Sequence, residues 1–141
     1  MNDKLVDTNI LVYSYDTSDK IKHQRAEALM QERWLHADGV LSIQNLSEFY
    51  TIITSKVKNP LDTETARGII HDFIHAPEWK IIRYNEKTIL TAIDLCKKHN
   101  IHFWDSLIAS AMREENIKTI FTEDTGDFQK IPGLKVINPL K

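Results

Sequence analysis

Residues 4–13 read KLVDTNILVY, and this stretch indicates how the chain is built. Lys4–Val6 is a short, largely apolar run that is typical of a buried strand, and it ends at Asp7. Thr8 and Asn9 follow, and both residue types favour the N-cap of a helix, here one over the apolar residues that come next. The stretch therefore predicts a strand that turns directly into a helix, with a carboxylate at the junction.

The same alternation of short apolar runs and helical patterns continues to the end of the chain. The further strands are expected at residues 40–42, 79–82, 118–122 and 134–137. The further helices are expected at residues 19–36, 43–55, 62–75, 85–99 and from 104 onward. Ser42 is a candidate N-cap and Asn100 a candidate C-cap, while residues 122–129 are expected to form a polar loop. Strands that alternate with helices predict an α/β fold with a central, mainly parallel sheet of about five strands.

The composition is that of an ordinary folded domain. Of 141 residues, 42% are hydrophobic and 27% are charged, and the formal net charge is −2. A chain of this length is expected to form a single domain, residues 1–141, with its own core. The net charge excludes a basic protein that coats nucleic acid by charge alone.

The compartment is expected to be the cytoplasm. Cys96 is the only cysteine, so no disulfide can form within the chain, which fits a reducing environment. The N-terminal residues lack the pattern of a signal peptide, and no window is apolar enough to predict a membrane span.

Two of the predicted strands end in acidic residues. Asp7 follows the first strand, and the fourth runs into Glu123 and Asp124. Because the carboxyl ends of parallel strands lie at one edge of a sheet, where open α/β folds place their sites, we expect these carboxylates to be neighbours. Asp105 starts a predicted helix, and Asp127 lies in the loop of Asp124. Alone, Asp105 could be an N-cap, and Asp124 and Asp127 could be turn residues.

Carboxylates that converge repel one another, so they must take up protons or bind a cation. Oxygen ligands favour Mg²⁺ or Mn²⁺ over zinc. Such a site can activate water and stabilise charge on a phosphate. The positions of the strand ends do not select Glu48 as a member of this site. The helical wheel of residues 43–55 places Glu48 nearly opposite the apolar stripe and predicts a solvated surface residue.

Three other groups of residues have two interpretations each. His71 and His75 have a metal-ligand spacing without an evident third ligand, so an exposed helix face is favoured. Basic residues could guide a phosphate backbone or simply form a solvent-exposed face. They are Lys20, Lys22, His23, Arg25 and Arg33 on one helix, and Lys56, Lys58 and Arg67 around a turn. The tryptophans Trp34, Trp79 and Trp104 are expected in the core rather than as base-stacking surfaces.

Four segments in order resemble the motifs of PIN-domain ribonucleases, and within that family those of VapC-type toxins. The segments are residues 5–11 (LVDTNIL), 45–50 (NLSEFY), 103–109 (FWDSLIA) and 122–139, which begins TEDTGDF and ends with Asn138-Pro139. The resemblance extends over nearly the whole chain. It implies a PIN-like three-layer sandwich and cleavage of RNA that depends on Mg²⁺ or Mn²⁺.

The resemblance also implies the roles of individual residues. Asp7, Glu48 and Asp105 would be the three central acids, and either Asp124 or Asp127 would complete the site. Thr8 and Ser106 would orient carboxylates, a common function of residues behind metal ligands. A VapB-like antitoxin would silence the toxin, which would form a homodimer.

Two alternative functions remain open at this point. A phosphoacceptor receiver domain has a similar size and an acid cluster at its strand ends, but it would need an acid after the third strand, where residues 79–84 have none. A degenerate PIN-like domain that only binds a partner is the other, and the complete set of acids counts against it.

Overall fold

The computed structural model describes residues 2–141. Its strands are β1 (Lys4–Val6), β2 (Gly39–Ser42), β3 (Trp79–Ile82), β4 (Thr119–Phe121) and β5 (Lys135–Ile137). They form one sheet in the order β3-β2-β1-β4-β5, and every neighbouring pair is parallel. This confirms the predicted α/β class and the number of strands.

Helices cover both faces of the sheet. They are α1 (Thr8–Tyr13), α2 (Lys20–His36), α3 (Ile43–Ser55), α4 (Thr63–His75), α5 (Glu86–His99), α6 (Phe103–Glu114) and α7 (Thr125–Phe128). Successive residues of a strand point to opposite faces. Val6 accordingly joins the core under α1 to α4, whereas Leu5 joins the core under α5 and α6. The result is the expected three-layer sandwich.

The order of the strands excludes the receiver-domain alternative. Receiver domains have the doubly wound order 2-1-3-4-5, in which the third strand lies next to the first. Here β3 is at the edge and pairs only with β2, while β4 lies beside β1. The carboxyl ends of β1 and β4 are therefore adjacent, and the Asp7 backbone N–H donates to the Phe121 carbonyl at 2.9 Å.

Two helix ends follow the predictions, whereas two N-caps and one loop differ from them. Ser42 caps α3, and Asn100 ends α5 in the left-handed conformation with φ of 53°. The N-cap of α1 is Asp7 rather than Thr8 or Asn9, because its own carboxylate accepts from the next N–H. The N-cap of α6 is His102, so Asp105 is in the first helical turn and is no cap. The loop at residues 122–129 contains the short helix α7.

Several polar and aromatic side chains lie elsewhere than expected. Arg33 is not part of a solvated basic face: it is buried, with Asp38 3.2 Å from its guanidinium and the Phe121 ring alongside. Trp79 is in the core, as predicted, but the Trp104 side chain is 59% exposed. Among residues 2–141, no helix is both long enough and apolar enough to cross a membrane.

Candidate metal and active site

Asp7 is a buried carboxylate at the carboxyl end of β1. Its Oδ1 accepts from the Thr8 backbone N–H at 2.8 Å and from Asn45 Nδ2 at 3.3 Å, and its Oδ2 accepts from Thr122 Oγ1 at 2.8 Å. Burial raises the pKa of Asp7 to about 6, and the nearby charge of Glu48 adds to this, although the hydrogen bonds from Thr122 and Thr8 oppose it. The protein thus orients this carboxylate with neutral donors, and none of these partners compensates its charge.

Asp105 lies in the first turn of α6, near enough to Asp7 for the two charges to interact. Burial is the largest cause that raises the pKa of Asp105, to about 7, and its hydrogen bond with Asp127 is the second. Repulsion from Asp7, Asp124 and Asp127 raises it further. The charges of Asp7 after β1, Asp105 in α6 and the two aspartates around α7 therefore act on one another.

Asp127 is the most strongly hydrogen-bonded acid of the segment around α7. Its Oδ2 lies 3.0 Å from the His102 backbone nitrogen, which donates to it, and 2.7 Å from the His102 ring nitrogen Nδ1. Burial opposes ionisation of Asp127, but these bonds and the one from Asp105 outweigh it, so its pKa is lowered. Asp127 in turn raises the pKa of the exposed His102 ring.

Donor atoms of His102, Asp105 and Asp127 all lie within 4.8 Å of one another. Within the described part of the chain, this is the only group of three or more such side chains that is close enough to share a metal ion. Asp7, Glu48 and Asp124 are outside this group, although Asp7 and Asp124 act electrostatically on Asp105.

Glu48 faces this edge of the sheet, so the helical wheel was wrong about its environment. Its Oε1 accepts from Thr8 Oγ1 at 2.6 Å, and its Oε2 accepts from Gln44 Nε2 at 3.3 Å. The wheel finds only the apolar stripe of α3, whereas a second side of this helix packs against α1 and bonds to Thr8. Gln44 also donates to the Trp104 carbonyl at 3.1 Å, which ties α3 to α6.

Asp124 is exposed, and its side chain does not cap α7. Its backbone N–H donates to Thr122 Oγ1 at 3.0 Å, and its charge raises the pKa of both Asp7 and Asp105. Glu123 is directed elsewhere and forms an ion pair with Lys22. Asp124 thus lies near the cluster without any bond to it, in contrast to Asp127.

Ser106 does not orient a carboxylate, contrary to the resemblance. Its hydroxyl donates to the Ala92 carbonyl at 2.6 Å and fixes α6 to α5. The hydroxyl that holds Asp7 belongs to Thr122, which the sequence argument missed. A threonine directly after β4 mirrors the position of Asp7 after β1, and that symmetry is the signal that could have indicated it. Asn45 was also missed, although its place within the second motif pointed to it.

The donor set fits a divalent cation that prefers oxygen ligands. Burial raises the pKa of Asp7 and Asp105, repulsion from neighbouring acids adds to this, and a bound cation would oppose both effects. Carboxylates dominate the set, as suits Mg²⁺ or Mn²⁺. The imidazole of His102 is the only nitrogen ligand in the metal-sized group.

Several solved structures are similar to this chain. VapC20 of Mycobacterium tuberculosis, a toxin that cleaves the sarcin-ricin loop, has a TM-score of 0.71 at 15% identity, with 89% of this chain and 93% of that one covered. A chain of the DNA-bound VapBC complex of Salmonella typhimurium gives 0.68 at 15% identity, with 99% of both chains covered. A chain of VapBC-1 from nontypeable Haemophilus influenzae gives 0.65 at 22% identity, with 98% of both covered.

No curated protein is significantly similar to this chain in sequence. At such low identities, the structural matches establish the fold and leave the reaction open. The sequence does match a family model, that of the PIN domain, over residues 4–134. This match covers most of the chain and includes every acid discussed above. The chain belongs to the PIN domain family.

Proposed function

We propose that this PIN-domain protein is a metal-dependent endoribonuclease and the toxin of a VapBC-type toxin–antitoxin pair. The observation that carries the proposal is the group of His102, Asp105 and Asp127, whose ligand atoms lie within 4.8 Å of one another, at the sheet edge where the buried Asp7 and the exposed Asp124 also lie. Together with Glu48 these aspartates are the acids that we assign to catalysis. A nuclease that uses a cation has a reason to keep such an unfavourable cluster, whereas a domain that only binds a partner has none.

The proposed ligands of Mg²⁺ or Mn²⁺ are Asp7, Glu48, Asp105 and Asp127. When bound, the ion would supply an activated water and compensate charge on the scissile phosphate. The protein's own residues hold the carboxylates in position. Thr122 and Asn45 fix the two oxygens of Asp7, and Thr8 fixes Glu48, whose Oε2 is the candidate acceptor for a proton from water.

The partners belong to the same proposal. The similar VapBC structures are complexes of toxin and antitoxin, which supports a VapB-like antitoxin as the partner of this chain. RNA is the proposed substrate. A homodimer in the cytoplasm is the proposed state of the free toxin, and sedimentation of the purified protein would test the dimer.

Cleavage of single-stranded RNA by the purified protein tests the proposed function. We expect products in Mg²⁺ or Mn²⁺, none in EDTA, and a loss of at least a hundredfold in rate for Asp7→Asn. Asp72→Asn is the matched control, because this aspartate lies on α4 with its side chain 79% exposed. Equal cleavage by wild type and Asp7→Asn would indicate a contaminating nuclease and contradict the proposal.

A further inference from the structure

A cavity of about 570 Å³ opens between α3 and α6, beside the acids. We call it the α3–α6 pocket. Its apolar and aromatic walls are Ile43, Ile52, Tyr84 and Trp104, and its charged residues are Glu48 and Lys56. The volume is in the range of pockets that enclose a small organic group.

The pocket is continuous with the proposed active site. Glu48 belongs to both, and Trp104 directly precedes Asp105 in α6. Gln44 Nε2 donates to Glu48 Oε2 and to the Trp104 carbonyl, so one side chain fixes the wall of the pocket and an acid of the site together. A group held in the pocket would therefore be adjacent to the reacting phosphate.

Trp104 is a large aromatic side chain that the core does not use. It is 59% exposed, and its ring contacts Phe103 edge-on, with 5.3 Å between centroids. The exposed indole and the half-buried Tyr84 line the same pocket and provide planar faces on which a flat ring can stack. Such aromatic faces bind nucleobases with little dependence on sequence.

The charges around the pocket favour RNA over a peptide. Lys56 is exposed at the end of α3 and lines the same pocket as Glu48 and Trp104, while Asp105 directly follows Trp104 in the sequence. A chain that alternates phosphates and bases can present one phosphate to a cation at the acids, a base to the pocket and a further phosphate to Lys56. A basic peptide segment that the acids would attract would be repelled by Lys56.

We infer that the α3–α6 pocket binds the nucleobase next to the scissile phosphate, by stacking on Trp104. The inference rests on the proposed function, because it assigns a subsite to the same substrate. It makes Trp104 a binding residue and Lys56 a phosphate contact.

The test compares two octamers of equal charge, one with bases and one abasic at every position, by fluorescence anisotropy. The protein is the Asp7→Asn variant in EDTA, so that cleavage cannot occur and nuclease activity is not required. We expect Trp104→Ala in this background to bind the base-bearing octamer about tenfold more weakly, within the range known for base–aromatic stacking. Its affinity for the abasic octamer should not change, and Trp104→Phe should retain most of the affinity.

Tyr50→Ala is the matched control, because Tyr50 is an exposed aromatic residue on α3 outside the α3–α6 pocket. Equal binding of the base-bearing octamer with and without Trp104, including no binding in either case, would overturn the inference. So would an equal loss on the abasic octamer, or a loss restricted to binding of an antitoxin peptide. If wild type cleaves RNA but Trp104→Ala does not weaken binding of the base-bearing octamer, the subsite is refuted and the proposed function stands. If Trp104→Ala weakens that binding but wild type does not cleave RNA, the proposed function is refuted and the subsite stands.

Discussion

Thr8 Oγ1 donates a hydrogen bond of 2.6 Å to Glu48 Oε1, and Asn45 Nδ2 donates to the same hydroxyl at 3.0 Å. A hydroxyl has one proton to donate, so the bond from Asn45 leaves the Thr8 proton for Glu48. The first turn of α1 therefore positions two acids: Asp7 through the Thr8 backbone N–H and Glu48 through the Thr8 side chain.

The first prediction concerns this bond. Thr8→Val keeps the side-chain shape but removes the donor to Glu48 and the acceptor for Asn45. We expect RNA cleavage to fall by about 10- to 100-fold, as is common when a residue behind a metal ligand is lost. The Asn45 side-chain N–H that loses its acceptor should lower the free energy of unfolding by about 1–3 kcal/mol, although the same nitrogen still donates to Asp7. Initial rates and urea melts measure the two effects.

Thr8→Ser should restore most of the activity, because it restores the hydroxyl. Thr54→Val is the control on α3, because the Thr54 hydroxyl bonds only within its own helix and lies outside the α3–α6 pocket. A Thr8→Val protein with wild-type rates would show that the orientation of Glu48 does not matter for the reaction.

The second prediction concerns the cation. If the acids share a site, Mn²⁺ at a hundredfold excess over its dissociation constant should stabilise the fold by about 2.7 kcal/mol. Asp7→Asn should abolish most of this gain. Thermal melts with and without Mn²⁺ provide the measurement, and equal shifts for both proteins would refute metal binding at Asp7.

The third prediction is a pH dependence of the metal-free protein. In the folded state the pKa of Asp7 is about 6 and that of Asp105 about 7, against an ordinary value of 3.8 for both. Between about pH 4 and 7 the folded state thus binds more protons than the unfolded state, so stability falls as pH rises through this window and then levels off. For the buried Asp7, the loss is on the order of 3 kcal/mol.

The contribution of Asp7 is measured as the difference between wild type and Asp7→Asn in urea melts across this window. The variant should be the more stable of the two above pH 7, by less than the full amount, because an amide offers Thr8 and Thr122 one acceptor oxygen instead of two. A difference that does not change with pH would show that the Asp7 carboxylate is not destabilised in the fold.

The fourth prediction separates Asp124 from Asp127. Asp127 is hydrogen-bonded to His102 and lies within metal-sharing distance of Asp105, whereas the exposed Asp124 acts only through its charge. We expect Asp127→Asn to reduce the affinity for Mn²⁺ at least tenfold and Asp124→Asn to reduce it less than threefold. Isothermal titration calorimetry decides between them, and the opposite ranking would assign the fourth acid to Asp124.

The fifth prediction concerns Ser106. Its hydroxyl is bonded to the Ala92 carbonyl, so Ser106→Ala should lower the free energy of unfolding by about 1 kcal/mol. Cleavage rates should stay within twofold of wild type, measured well below the melting temperature. A large loss of rate in a protein with normal stability would restore the role that the family resemblance gave to this residue.

The sequence by itself determined the alternation of strands and helices, because short apolar runs and helical periodicity are local signals. It also placed Asp7 and Asp124 at one sheet edge, because parallel strands share a direction. The periodicity of α3 could not reveal the setting of Glu48, since a helical wheel does not show which neighbours cover the polar side of a helix. Only the PIN resemblance directed attention to that residue.

The tertiary structure decided those side-chain contacts and exposures that depend on residues far apart in the sequence. Thr122 lies 115 residues after Asp7 and yet donates to its carboxylate, and the same packing turns Ser106 away from the acids and leaves Trp104 exposed. Local sequence sets which side chains are available at the edge of the sheet. The strand order and the packing of α1 against α3 set which of them meet, because a hydrogen bond or a repulsion between carboxylates depends on distance in space rather than along the chain.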